Sequence, residues 1–133
     1  MRFVDTNVFL RLILWDDPQK AKRCEQLFLD ALLRKKRLCT SSLVIAKIIW
    51  VLERQYRYPR RQISDVVLNI INTPELEITD KDLLMVAVGL YQMSKIDFID
   101  AYNAMLMEQG RVLEIYSYDD HFDAIKSVKR LVP

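Results

Sequence analysis

The chain has 133 residues, 51% of them apolar, with only two glycines and four prolines. That is enough for one compact domain with a real core, and the scarcity of glycine and of polar tracts excludes a disordered chain. Twenty basic residues face eighteen acidic ones for a net charge of +2, so bulk charge alone does not point to nucleic acid and any electrostatic case rests on local clusters.

The first apolar run, residues 2–4, predicts a short strand ending at Asp5, followed by a short helix over residues 7–14. Asp16-Asp17-Pro18 then opens a longer helix, with Pro18 suited to its first turn. Ala21, Cys24, Leu27, Phe28, Ala31 and Leu32 carry its apolar spacing. Residues 38–40 read as a second strand, and Ser41 or Ser42 can cap a helix over residues 43–54. Pro59 restarts a helix to about residue 71, which Thr73-Pro74 breaks. Residues 76–78 form a third strand, and Thr79 with Asp82 resembles a capping box for a helix over 83–93. Asp97 caps a helix to residue 108, which Gly110 ends. Residues 112–118 are the fourth strand, rich in β-branched and aromatic residues, and a short helix near 121–125 and an edge strand near 127–131 follow. Trp15, Trp50, Met85 and Met93 are expected in the core.

Strands alternating with helices predict an α/β fold: a parallel sheet of about four to five strands flanked by helices on both faces, in a single domain over residues 1–133. Cys24 and Cys39 lack zinc-type spacing and read as ordinary reduced thiols. No apolar run reaches the roughly 18 residues of a membrane span, and no basic segment followed by an apolar one opens the sequence, so the expectation is a soluble, cytoplasmic protein with no membrane partner.

In parallel sheets ligands bind beyond the carboxyl ends of the strands. Asp5 follows the first strand, Asp119 follows the fourth, and Asp97 and Asp100 lie in the first turn of a helix. Carboxylates gathered there repel one another unless a cation joins them. Mg²⁺ or Mn²⁺ suits an all-oxygen donor set and can assist cleavage of a phosphate. Each acid also has a plainer reading: Asp97 and Asp100 as helix caps, Asp5 and Asp119 as turn residues.

Phe3-Val4-Asp5-Thr6-Asn7-Val8 closely resembles the opening of PIN domains. Thr40-Ser41-Ser42-Leu43-Val44-Ile45-Ala46 resembles their second block, Asp97-Phe98-Ile99-Asp100-Ala101 the third and Tyr116-Ser117-Tyr118-Asp119 the fourth. The order and spacing span essentially the whole chain, and the motifs are most similar to the VapC toxins of toxin–antitoxin pairs. The resemblance implies a PIN-like fold and a metal-dependent endoribonuclease using Mg²⁺ or Mn²⁺. It also implies dimerisation and inhibition by a small antitoxin. Carried over by motif, Asp5, Asp100 and Asp119 match the metal-site acids and Asp97 a frequent accessory acid. Thr6 and Asn7 fit the polar positions after the first acid, and Ser41 a hydroxyl near the metal.

One position departs from the pattern. The family glutamate after the alanine of the second block is here Lys47. A lysine facing the acids would neutralise neighbouring carboxylates and weaken metal binding. The plainer reading is a lysine whose stem packs while its ammonium reaches water. Glu53, about 240° further round the helix, does not substitute. The expectation is therefore impaired activity, Lys47 paired with one or more of the acids, and recovery on Lys47→Glu.

Two basic clusters, Lys20 to Arg37 and Arg54 to Arg61, the second interleaved with Tyr56 and Tyr58, suit a single-stranded or looped RNA or are simply solvated helix ends. Arg11, one helical turn past Asn7, is the best single candidate for a substrate phosphate. His121 reads as a turn residue. Three functions compete: an endoribonuclease toxin; a catalytically inactive PIN-like domain that binds RNA or an antitoxin; and an unrelated phosphatase with an aspartate nucleophile. The last lacks the second aspartate two residues on that such a nucleophile needs.

Overall fold

The computed structural model describes residues 1–133, which divide into two compact units, Met1–Lys81 and Asp82–Pro133.

The first unit is ordered β1 (Arg2–Phe3), α1 (Thr6–Leu14), α2 (Pro18–Leu33), β2 (Leu38–Thr40), α3 (Ser42–Arg54), α4 (Arg60–Ile71) and β3 (Leu76–Ile78). Its three strands form one parallel sheet in the order β1-β2-β3, with Phe3 beside Cys39 and Thr40 beside Ile78. Leu38, Thr40, Leu76 and Ile78 are buried, while Cys39 is half-buried and Glu77 exposed, so β2 and β3 alternate between a buried and a more open face. Asp17 caps α2 by accepting from the Lys20 amide at 3.1 Å, ahead of Pro18 at N1. Phe9 of α1 meets Phe28 of α2 with ring centroids 5.7 Å apart.

Helix α3 buries Val44, Ile45, Ile48, Ile49, Val51 and Leu52. Leu43, Lys47, Trp50 and Arg54 fall on its opposite, exposed stripe, spaced four, three and four residues apart. Trp50 is accordingly 55% exposed, not in the core as its size suggested. Trp15 is exposed too, because it sits in the left-handed region at φ 51° as the C-cap of α1.

The second unit holds α5 (Lys81–Met93, whose first residue closes the first unit), α6 (Phe98–Gln109), β4 (Glu114–Tyr116), the 3₁₀ turn Asp120–Ala124 and β5 (Lys129–Leu131). Strands β4 and β5 pair in parallel, Glu114 beside Lys129 and Tyr116 beside Leu131. The five parallel strands expected are thus present, hydrogen-bonded as a group of three and a group of two. Helix α5 buries Leu83, Leu84, Ala87, Val88 and Tyr91, which leaves Met85 and Met93 exposed, against the expectation for both. Tyr91 packs edge-on against Phe98 of α6 at 6.2 Å.

Gly110 follows α6 as expected, yet its φ is −81°; the left-handed residue is Arg111 at φ 55°. The Val112 amide donates back to the Met107 carbonyl at 2.8 Å, closing the helix one residue later than the glycine suggested. Strand β4 is also shorter than its β-branched sequence predicted. No helix is long and apolar enough to cross a membrane.

Candidate active site

In the first unit the carboxyl edge of the sheet is fixed from the backbone. The Val4 amide donates to the Cys39 carbonyl at 2.8 Å, and the buried Thr40 hydroxyl donates to the Val4 carbonyl at 2.8 Å. That clasp sets where β1 releases the chain into Asp5 and α1. Asp5 is the N-cap of α1 in extended conformation, exposed, and its side chain makes no capping hydrogen bond. By register Ser41 leaves β2 at the level where Asp5 leaves β1. Ser41 caps α3, its Oγ accepting from the Val44 amide at 3.3 Å, and its hydroxyl proton remains available to donate. Thr6 is buried and Asn7 exposed.

Lys47 lies on the exposed stripe of α3 and forms no ion pair with Asp5. The expected pairing is therefore not made with that acid. The helical period explains its exposure, since Lys47 shares its face with Leu43 and Trp50 rather than with Ile45 and Ile48. Arg11, the residue assigned to a substrate phosphate, places its NH1 at 3.0 Å from both oxygens of Asp16. Any phosphate contact must share that guanidinium.

The second unit brings three acids together. Asp97 caps α6, its Oδ1 accepting from the Asp100 amide at 2.9 Å. Asp100 lies in the first turn of that helix and Asp119 caps the 3₁₀ turn. Asp100 is pushed up to about 6, first by burial and then by the negative charges of Asp97 and Asp119. Asp119 is held below the ordinary carboxylate range, chiefly by the backbone N–H of His121 and further by its imidazole. The strand-end placement of Asp119 needs one amendment: β4 closes at Tyr116, and Ser117 and Tyr118 intervene.

Such a donor set, all oxygen, crowded and partly desolvated, fits a hard divalent cation, which would offset the repulsion that raises Asp100. Oxygen ligands at helix starts can bind the ion while the backbone stays rigid.

Residues that sequence reasoning did not select surround Asp119. The Asp119 amide donates to Ser117 Oγ at 3.0 Å, and His121 Nδ1 lies 2.7 Å from Asp119 Oδ1. Arg130 of β5 grips both oxygens of Asp123 at 2.8 Å and donates to the Ser117 carbonyl at 3.3 Å. Arg130 is 13 positions from Ser117, and no local spacing marks that pairing.

A family model described as PIN domain matches residues 2–128, a stretch that runs through both units. A VapC ribonuclease of Aquifex aeolicus (strain VF5) is 25% identical over 122 residues, covering 92% of this chain and 90% of that protein. Among solved structures, the crystal structure of Mycobacterium tuberculosis VapC20, a sarcin–ricin loop cleaving toxin, aligns over 100% of both chains at 20% identity, with a TM-score of 0.41.

Proposed function

The chain belongs to the PIN domain family, and we propose that it is a metal-dependent endoribonuclease, the toxin of a toxin–antitoxin pair, with activity impaired by Lys47. The observation that carries this reading is the acidic group of the second unit, where the carboxyl of Asp100 is raised to about 6 by burial and by Asp97 and Asp119. Three carboxylates kept close at such a cost point to a cation as their partner. The whole-length similarity to a VapC ribonuclease supports RNA as the substrate class.

On the strength of their motif positions alone, we propose Asp5, Asp100 and Asp119 as ligands of Mg²⁺ or Mn²⁺. Such an ion supplies an activated water and stabilises charge developing on the cleaved phosphate. Asp97 is an accessory acid by its motif position, and its Oδ1 caps α6 by accepting from the Asp100 amide. Thr6, Asn7 and Ser41 supply polar groups at the helix starts beside Asp5, and Arg11 meets a substrate phosphate at the expense of part of its pairing with Asp16. The Asp5 carboxylate, with no capping bond of its own, keeps its lone pairs for an external partner.

A small antitoxin and a second copy of the chain are the proposed protein partners. An open groove of about 770 Å³ in the first unit, lined by Phe9, Leu12, Phe28, Leu29 and Ile70 together with Lys22, Glu25, Gln26 and Thr73, offers the mixed apolar and polar surface an amphipathic helix would meet. The free thiols Cys24 and Cys39 agree with action in the cytoplasm, where RNA is also found.

The second reading, a PIN-like domain that binds RNA or an antitoxin without cleaving, is favoured by one observation: an exposed lysine stands where the family pattern has a glutamate. One experiment separates the two. The unaltered chain and Lys47→Glu are assayed for cleavage of structured RNA with Mg²⁺ or Mn²⁺, beside Mn²⁺ titrations. Slow or absent cleavage by the Lys47 protein with recovery in Lys47→Glu is the expected result. No metal binding and no cleavage by either protein sinks the nuclease reading, and equal activity of both removes Lys47 from the site.

A further inference from the structure

The two oxygens of Asp119 are not equivalent. Oδ1 accepts twice from His121, from its backbone amide at 2.9 Å and from its ring Nδ1 at 2.7 Å. The backbone around them is held separately. The Asp119 amide is fixed on Ser117 Oγ, and Arg130 ties the Ser117 carbonyl to Asp123 in the same 3₁₀ turn. The Arg130 side chain is only 18% exposed, so this clamp is well seated. His121 itself is 58% exposed and carries none of that scaffold.

We propose that His121 is a positioning residue for Asp119, its Nδ1–H fixing Oδ1 so that Oδ2 is the single oxygen presented to a divalent cation. The proposal rests on the reading of Asp119 as a metal ligand. A carboxylate on a short side chain has two soft torsions, and an unheld one can rotate or bind through both oxygens. One oxygen saturated by two donors removes both freedoms. Hydrogen bonds to ligating carboxylates tune metal sites in this way, and their loss typically costs about 10–100-fold in affinity. The ring Nδ1 spent on Asp119 is not free to bind metal, which leaves Nε2 as the one ring atom of His121 that could, and the variants below separate that role from donation.

The test uses the full chain carrying Lys47→Glu, with Mn²⁺ as the probe and no RNA present. His121→Ala removes the ring donor. His121→Asn places an amide N–H close to where Nδ1 stands, whereas His121→Gln carries its amide further out. Isothermal titration should show Mn²⁺ affinity reduced about 10–100-fold in the alanine and glutamine variants and restored to within about threefold in the asparagine variant. Melting temperatures should stay close to the parent in all three, since the scaffold of Ser117, Asp123 and Arg130 is untouched. Unchanged affinity in His121→Ala overturns the inference and leaves the nuclease reading standing. Equal losses in the alanine and asparagine variants overturn it too, because they mark the imidazole as a ligand rather than a donor. A melting temperature that falls in step with affinity assigns His121 a structural role and has the same effect. If the Lys47→Glu parent neither binds Mn²⁺ nor cleaves RNA, the nuclease reading fails and takes this inference with it.

Discussion

The two units place their acids by different means. In the first, Asp5 is delivered by backbone pairing: β1, itself exposed, pairs with β2, Thr40 clasps Val4, and the carboxylate itself is tied to no capping amide. In the second, half of the strand residues are exposed, Tyr116 at 72% among them, none is buried, and polar contacts brace the strands. Lys129 meets Glu114 at 3.0 Å across β4 and β5, Arg130 holds Asp123, and His121 holds Asp119. Asp5 is thus positioned by strand pairing and the Thr40 clasp, Asp97 by its cap on the Asp100 amide, and Asp119 by its contacts with His121. A substitution at His121 should disturb Asp119, whereas Asp5 should respond to the loss of the Thr40 hydroxyl and to core substitutions.

The largest effect expected is chemical. In the Lys47→Glu protein, Asp100→Asn or Asp119→Asn should lower the RNA cleavage rate by about 100-fold or more, a loss of at least about 2.7 kcal/mol of transition-state stabilisation. Asp97→Asn keeps the capping oxygen and should cost less than about tenfold. Chelation of divalent ions should abolish cleavage in the same assay. The reverse order of Asp97 and Asp100 would mean that the cap and the ligand have been exchanged.

Stability sharpens the contrast next. Ile45→Ala or Leu52→Ala, at fully buried positions of α3, should cost about 2–5 kcal/mol in urea unfolding. Ile115→Ala in the half-exposed β4 should cost less than about 1.5 kcal/mol. Equal costs would erase the distinction between the buried core of the first unit and the half-exposed strand pair of the second.

The pH dependence of the acidic group follows from Asp100. Its folded-state carboxyl is raised above the unfolded value of 3.8 to about 6, so between those limits the folded chain binds more protons than the unfolded one. Stability from this group is therefore fully present below about pH 4 and is lost as pH rises through 6. Asp100→Asn should remove that loss and stabilise the metal-free protein at pH 7.5 relative to pH 4. After discounting for partial solvent exposure the gain is on the order of 1 kcal/mol. Thermal melts at the two pH values measure it, and an equal change at both would contradict the crowding of Asp97, Asp100 and Asp119. Smallest of all, Lys129→Ala should cost only about 0.2–1 kcal/mol, as expected of an exposed ion pair.

Much of this was legible in the residues. The strand at Leu38–Thr40 and the helix ending at Arg54 fall where apolar period and capping serines put them, because those local signals also agree with the burial. The acids at 97 and 100 were readable as a cap and its neighbour, and the structure shows that capping contact. Exposure of Trp50 was available in principle: Leu43, Lys47, Trp50 and Arg54 share one helical stripe, and a stripe with two cations among its four members faces water even when a tryptophan belongs to it. Arg111 taking the left-handed turn in place of Gly110 was not readable, since the helix end is fixed by the carbonyl that Val112 reaches, Met107, and not by residue type alone. The support around Asp119 was invisible for another reason. Arg130, Asp123 and Ser117 meet only after β5 has paired beside β4, and sequence period carries no information about that meeting.

The order β1-β2-β3 has a consequence for time rather than for energy. Strand β2 is paired on both sides, so opening either ladder alone frees only the amides that donate into it; the Leu38 amide, for one, donates to the Glu75 carbonyl at 2.7 Å. Strands β4 and β5 each have one paired side, and fraying of a single ladder releases them. In deuterated water the β4 and β5 amides should label first. Those of β2, the strand that delivers the chain to Ser41 and clasps the residue before Asp5, should be among the last to lose their protons.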